Sequence, residues 1–231
     1  MYPQLKILLN KDLDKKCCFY FLNTKVAGVD LGGRIIQIHP QLSNAGKVDE
    51  LSAKNLISKY FDKFYLEHQV ELKQARKEAE NAWIKNQTSF FKACDKYFKN
   101  HPWPEGKYEA YPSIIECNPR FLENKTFQFY WKYPWDYPQW FLNTMAHEML
   151  HFLFFDLVEK LVPNINSQNQ KLWNISEVFN GLIMGEPEFI KITGVKIQNQ
   201  YPDLIKRQEE LRSTWNKNKD AKSFILSTLS S

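Results

Sequence analysis

His147-Glu148-Met149-Leu150-His151 sets two histidines four residues apart with an acid directly after the first. On an α-helix such histidines lie one above the other, about 6 Å apart along one face, so both imidazoles can address one metal ion. Glu148, turned about 100 degrees from His147, is poorly aimed at that ion but well aimed at a water beside it. The chemistry implied is metal-assisted hydrolysis, with zinc as the metal and a carboxylate as the proton acceptor.

A catalytic zinc takes three protein ligands and keeps a fourth position for water. The same helix does not readily supply the third: Asp156 lies about 140 degrees round from His151, and Glu159 lies two turns too far along. His151 is followed by no H-x-x-G-x-x-H continuation and no later histidine, which excludes the extended three-histidine site. Downstream, the best candidate is Glu177 within Trp173-Asn174-Ile175-Ser176-Glu177-Val178-Phe179-Asn180. Leu172, Ile175, Phe179 and Leu182 would form the buried stripe of a second helix, leaving Glu177 and Asn180 together on another face. Glu186 and Glu188, which follow Gly185, are next in line. His39, His68 and His101 precede the motif and read as surface or capping residues.

Several elements must position these side chains. Asp136-Tyr137-Pro138 predicts a helix start, with the helix running to about Leu161 and stopping before Pro163. Lys171 to Met184 reads as the second helix, and the chain from Tyr201 onward is helical again. Ahead of them, Phe127, Phe129 and Trp131 alternate with Thr126, Gln128 and Tyr130, a strand with one wet or substrate-facing side. Ser113 to Cys117 reads as a preceding strand. Apolar residues recur at helical spacing from Asp49 to Asn100, predicting two helices or one kinked helix. Residues 1–48 hold short β-prone runs, Cys18 to Leu22 and Arg34 to Ile38, and read as a β-rich extension. The expected fold class is α+β: a small, mostly antiparallel sheet, an active-site helix and further packing helices. The expected division is an extension over 1–48 and one domain over 49–231, with a helical first part at 49–100, a catalytic core at about 108–190 and C-terminal helices over 200–231.

Composition fits this plan. The 231 residues are 43% hydrophobic and 15% aromatic, ample for a core. A formal charge of +5 is mild, and eight basic against four acidic side chains between 191 and 222 predict a solvated helical face rather than a nucleic-acid surface. The opening residues lack a basic segment leading into an apolar run, and no apolar stretch reaches the roughly 18 residues of a membrane span, so the expectation is a cytoplasmic chain with no membrane partner. Cys17, Cys18, Cys94 and Cys117 form no C-x-x-C pair and read as reduced thiols.

His147-Glu148-x-x-His151 followed by a helical Glu177-x-x-Asn180 resembles the gluzincin group of zinc peptidases. The compact minigluzincins and the regulatory ImmA-type proteases are similar in scale. The resemblance, covering roughly residues 113 to 184, implies a zincin-like fold, Zn2+ held by His147, His151 and Glu177, and Glu148 as the catalytic base acting on a protein or peptide substrate. It further implies that Thr126 to Trp131, through Thr126, Gln128 and Tyr130, is an edge strand on which an extended substrate pairs. Gly181 stands where thermolysin-like enzymes place an aspartate that orients a ligand histidine, so that role is unassigned, and Asn180 is the outer partner at hand. SprT-type proteases share the motif and size, but their cysteine zinc ribbon is absent here. Tyr201, Tyr133 and Tyr137 are candidate donors to an oxyanion, and the aromatic run Phe129 to Trp135 is a candidate cleft lining. The alternative is a catalytically silent zinc-binding regulatory or interaction module, for which an acid beside the ligands has no use.

Overall fold

A computed structural model describes residues 2–132, 139–167, 169–194 and 201–229. The chain forms, in order, β1 (Leu5–Ile7), α1 (Lys11–Phe21), β2 (Lys25–Val26), β3 (Val29–Asp30), α2 (Leu31–Ile38), α3 (Glu50–Glu67) and α4 (Gln69–Phe98). Next come β4 (Tyr108–Ser113), β5 (Arg120–Phe121), β6 (Thr126–Tyr130), α5 (Gln139–Leu161), α6 (Gln170–Ile183), α7 (Pro187–Thr193), α8 (Ile205–Asn218) and α9 (Ala221–Leu229). The class is α+β, as expected from the alternation of periods. No helix among the described residues is long and apolar enough to cross a membrane.

The sheet departs from expectation. Its order is β1-β4-β6-β5, and β4 runs parallel to both β1 and β6, so only the β5–β6 pairing is antiparallel. Parallel pairing requires a crossover. For β1 and β4 it is the whole α1–α4 region, which sequence proximity did not announce. Residues 1–48 therefore contribute a strand to the main sheet, and Leu5 and Ile7 share one core cluster with Met149 of α5.

That segment is also helical rather than β-rich. Cys18 to Phe21 ends α1, and Arg34 to Ile38 ends α2. In each case a polar cap begins the helix before the β-prone run is reached: the Asn10 side chain accepts from Leu13 N–H, and Asp30 accepts from Gly33 N–H. Such caps contribute about 1 kcal/mol each. The two helices approach closely at Gly32, where a Cβ would sit 2.0 Å from the Leu22 carbonyl oxygen.

The expected edge strand is an inner one. Thr126 of β6 pairs with Glu109 on one side and with Phe121 on the other. Beyond β5, Gln128 N–H donates to the Pro119 carbonyl at 2.9 Å, and Tyr130 N–H donates to Asn118 Oδ1 at 2.9 Å. The outward backbone donors of Gln128 and Tyr130 are thus taken, and an extended substrate cannot pair there. The Gln128 side chain is wholly buried rather than wet, because it donates to Asp14 Oδ1 at 2.6 Å.

Asp14 ties α1 to the rest of the core. Its carboxylate also accepts from Tyr65 Oη at 2.6 Å and from Ile114 N–H at 3.1 Å. Burial pushes its pKa up to about 6, against the lowering effect of these donors. His39 is likewise a core residue and not a surface one, with Nδ1 2.7 Å from Tyr60 Oη and Nε2 2.7 Å from the Ile114 carbonyl. His101 pairs with Asp156 at 2.7 Å, and the His68 ring packs at a tilt against Phe64, 4.3 Å between centres.

α5 sits at the centre. Phe141, Met145, Leu150, Phe154 and Val158 are buried on all sides of it, as befits a helix apolar around its circumference. It packs on α4, α6, α7, α9 and β6. Its expected cap, Asp136-Tyr137-Pro138, lies outside the described residues. The four cysteines are free, with Cys17, Cys18 and Cys94 buried and Cys117 half-buried.

Candidate metal centre

α5 presents His147 and His151 on one face, four residues apart, and α6 brings Glu177 against them. α6 starts at the Asn169 cap, whose side chain accepts from Lys171 N–H at 2.7 Å, and it is buried on every face from Ile175 to Ile183. The expected stripe of Leu172, Ile175, Phe179 and Leu182 is buried, and so are Glu177 and Asn180. The second face is covered because it meets α5. Asn180 secures that meeting by donating from Nδ2 to the His147 carbonyl at 2.8 Å.

The three candidate ligands converge. His147 Nε2 lies 3.1 Å from His151 Nε2 and 3.1 Å from Glu177 Oε2, and His151 Nε2 lies 3.3 Å from Glu177 Oε1. Ligands at about 2.0–2.1 Å from a tetrahedral zinc are separated from one another by about 3.3 Å. The donor set, two imidazole nitrogens and a carboxylate, and its spacing both fit one such ion. Among the described residues this is the group of histidines and acids able to hold a metal.

Charge is arranged to suit a cation. His151 is fully buried, and burial, helped by the Arg120 charge, pulls its pKa down to about 3, so it offers a neutral imidazole lone pair. Burial works against the Glu177 carboxylate too, yet His151, Arg120 and His147 outweigh it and hold the pKa well below the usual range. Burial would also lower His147, but its hydrogen bond and charge contact with Glu177 prevail and raise it.

Arg120, absent from the expectations, is part of the centre. It lies in β5, and its Nη1 donates to Glu177 Oε1 at 2.7 Å while Nη2 reaches Ser176 Oγ at 3.4 Å. Its guanidinium also lies 5.7 Å from the centre of the Phe155 ring. A two-residue strand carries no periodic signal, so only the residue type hinted at a role.

Glu148 faces the same cavity as His147 and Glu177. It is 4% exposed, and its Oε2 finds no hydrogen-bond partner. Burial pushes its pKa up to about 7, opposed by His147 and Arg120. The cavity is about 50 Å³, room for a few waters, and is walled also by Leu31 and Arg34 of α2, Cys117, and Tyr201. Burial, followed by the charges of Glu177 and Glu148, raises the Tyr201 pKa. Tyr201 alone of the three candidate tyrosines is placed at the site; Tyr133 and Tyr137 lie outside the described residues, as do Pro134 and Trp135 of the aromatic run, while Phe129, Tyr130 and Trp131 are described and do not line the cavity. Gly181 is also in the wall, and a Cβ there would approach Gln208 Oε1 of α8 to 2.5 Å. A larger residue in that position would require the Gln208 side-chain amide to move.

The alternative ligands are engaged elsewhere. Glu186 accepts from Trp215 Nε1 at 2.8 Å and Lys219 Nζ at 2.7 Å, and Glu188 accepts from Tyr97 Oη at 2.6 Å. Asp156 pairs with His101 and Lys160. A scan against protein-family models matches no family, and searches of curated proteins and of solved structures return no match.

Proposed function

We propose that this chain is a zinc-dependent peptidase of gluzincin type, cleaving protein or peptide substrates. The observation that carries the reading is an unpartnered buried carboxylate oxygen, Glu148 Oε2, on a residue that lines the same cavity as His147 and Glu177 of the three-residue cluster. A site with only a structural purpose has no use for such a group, and a buried carboxylate without a partner is costly.

Zinc bound by His147, His151 and Glu177 would supply a Lewis acid that activates water and polarises a carbonyl. Glu148 accepts the proton of the attacking water and returns it to the leaving amine. Burial keeps its carboxyl near neutrality in affinity, the range in which a group can both take and give a proton. Tyr201 lines the same space and is the side chain assigned to donate a hydrogen bond to the developing oxyanion. Arg120, which lines the same cavity, holds the Glu177 carboxylate in place.

The test is Glu148→Gln in the zinc-loaded protein against a peptide library read by mass spectrometry. Zinc content should be retained and cleavage should fall by about 100-fold or more. Cleavage at the wild-type rate would remove Glu148 from its role.

A further inference from the structure

Arg34 is one of five arginines, and its situation differs from the others. Arg76 pairs with Glu80, Arg120 with Glu177, Arg207 with Glu210 and Arg212 with Glu209. Arg34, half-buried on α2, has no hydrogen bond or ion pair with any described residue. It nevertheless lines the cavity that holds His147, Glu148 and Glu177. Its charge also acts on two other residues of the wall, lowering Tyr201 and Cys117 against the burial that raises both.

A half-buried guanidinium offers five donors and no acceptor, and Arg34 belongs to the wall of the space that substrate must enter. Guanidinium matches a carboxylate with two parallel hydrogen bonds, and this is stronger than a neutral pairing. Glu116 lines the same cavity and forms no ion pair with Arg34. Arg120 lines the cavity too, but its Nη1 and Nη2 already bond Glu177 and Ser176.

We infer that Arg34 is a specificity residue that binds a carboxylate of the substrate beside the scissile bond, from either the peptide C-terminus or an acidic side chain. The inference rests on the peptidase reading, deepening it from any peptide to an anionic one. The α2 position fixes the site's charge preference because Gly32 allows the start of that helix to press against the end of α1, setting Arg34 at the cavity wall.

The experiment uses zinc-loaded Glu148→Gln full chain, to prevent turnover, and the double variant Glu148→Gln with Arg34→Gln. Calorimetry follows three pools of N-acetylated tetrapeptides: free acids without Asp or Glu, amides containing Asp or Glu, and amides containing neither. Binding of the first pool, or of the second, at least about 10-fold tighter than the third, and its loss in the Arg34 variant, is the expected result. The first pattern assigns the C-terminal carboxylate and the second the acidic side chain. Equal affinity for all three pools, no binding by any, or a preference that survives Arg34→Gln, overturns the inference. An Arg34→Lys variant, which keeps the charge without the fork, should recover only part of the preference and shows that the loss does not reflect misfolding. Cleavage of the same pools by the wild type is scored separately: preferential binding without any cleavage would sink the peptidase reading while leaving the carboxylate site standing.

Discussion

Arg120 Nη1 lies 2.7 Å from Glu177 Oε1, while Glu177 Oε2 lies 3.1 Å from His147 Nε2, so one carboxylate joins a guanidinium from a strand to an imidazole from a helix. Glu177 is 2% exposed, and its orientation is fixed from outside by Arg120. Groups that orient a ligand in this way typically contribute 10- to 100-fold in metal affinity. Arg120→Ala should therefore weaken zinc binding by about 10- to 100-fold, as read by competition with a chelator. Arg120→Lys should not restore it, because separate nitrogens of the fork serve Glu177 and Ser176. Unchanged affinity in Arg120→Ala would mean that helix packing alone orients Glu177.

Asn180 provides a second measure of that packing. Its Nδ2 bond to the His147 carbonyl joins α6 to α5 directly beneath a candidate ligand, and the residue is fully buried. Asn180→Ala removes this bond and leaves a void, at a cost of about 1–3 kcal/mol. Urea denaturation in the presence of chelator should show that loss, with a smaller fall in zinc affinity than Glu177→Ala produces. Undiminished stability would show that the bond has little net worth.

Asp14 predicts a pH dependence. Its folded pKa is raised to about 6, from an ordinary value of 3.8. Across that interval the folded state holds a proton that the unfolded chain releases. The resulting stabilisation is complete below about pH 4 and is lost as pH rises through about 6, a change on the order of 3 kcal/mol. Asp14→Asn lacks the titration. The stability of wild type relative to Asp14→Asn should fall by about that amount between pH 4 and pH 7, and a difference that is flat with pH would contradict the burial of an ionisable group there.

Much of the centre was legible because helices repeat: spacing alone puts His147 and His151 on one face, and the period of Leu172, Ile175, Phe179 and Leu182 locates the helix that carries Glu177. What failed was the reading of short apolar runs. Cys18 to Leu22 and Arg34 to Ile38 have strand composition, but the Asn10 and Asp30 caps and tertiary packing make helices of nearly all of both. The sheet was misread for a related reason. Its parallel partner β1 lies far away in sequence, where no local pattern reports pairing. Arg120 and Arg34 were invisible because a side chain in a two-residue strand or on a misread helix gains its meaning only from what the fold brings opposite it.

The most direct measurement is elemental analysis of purified wild type beside His151→Ala, Glu177→Ala and Glu148→Gln. One zinc per chain in wild type and in Glu148→Gln, with zinc lost from the other two, is the predicted result. A wild type prepared without chelator that carries no zinc, or a Glu177→Ala variant that keeps it, would contradict the metal centre on which the account stands.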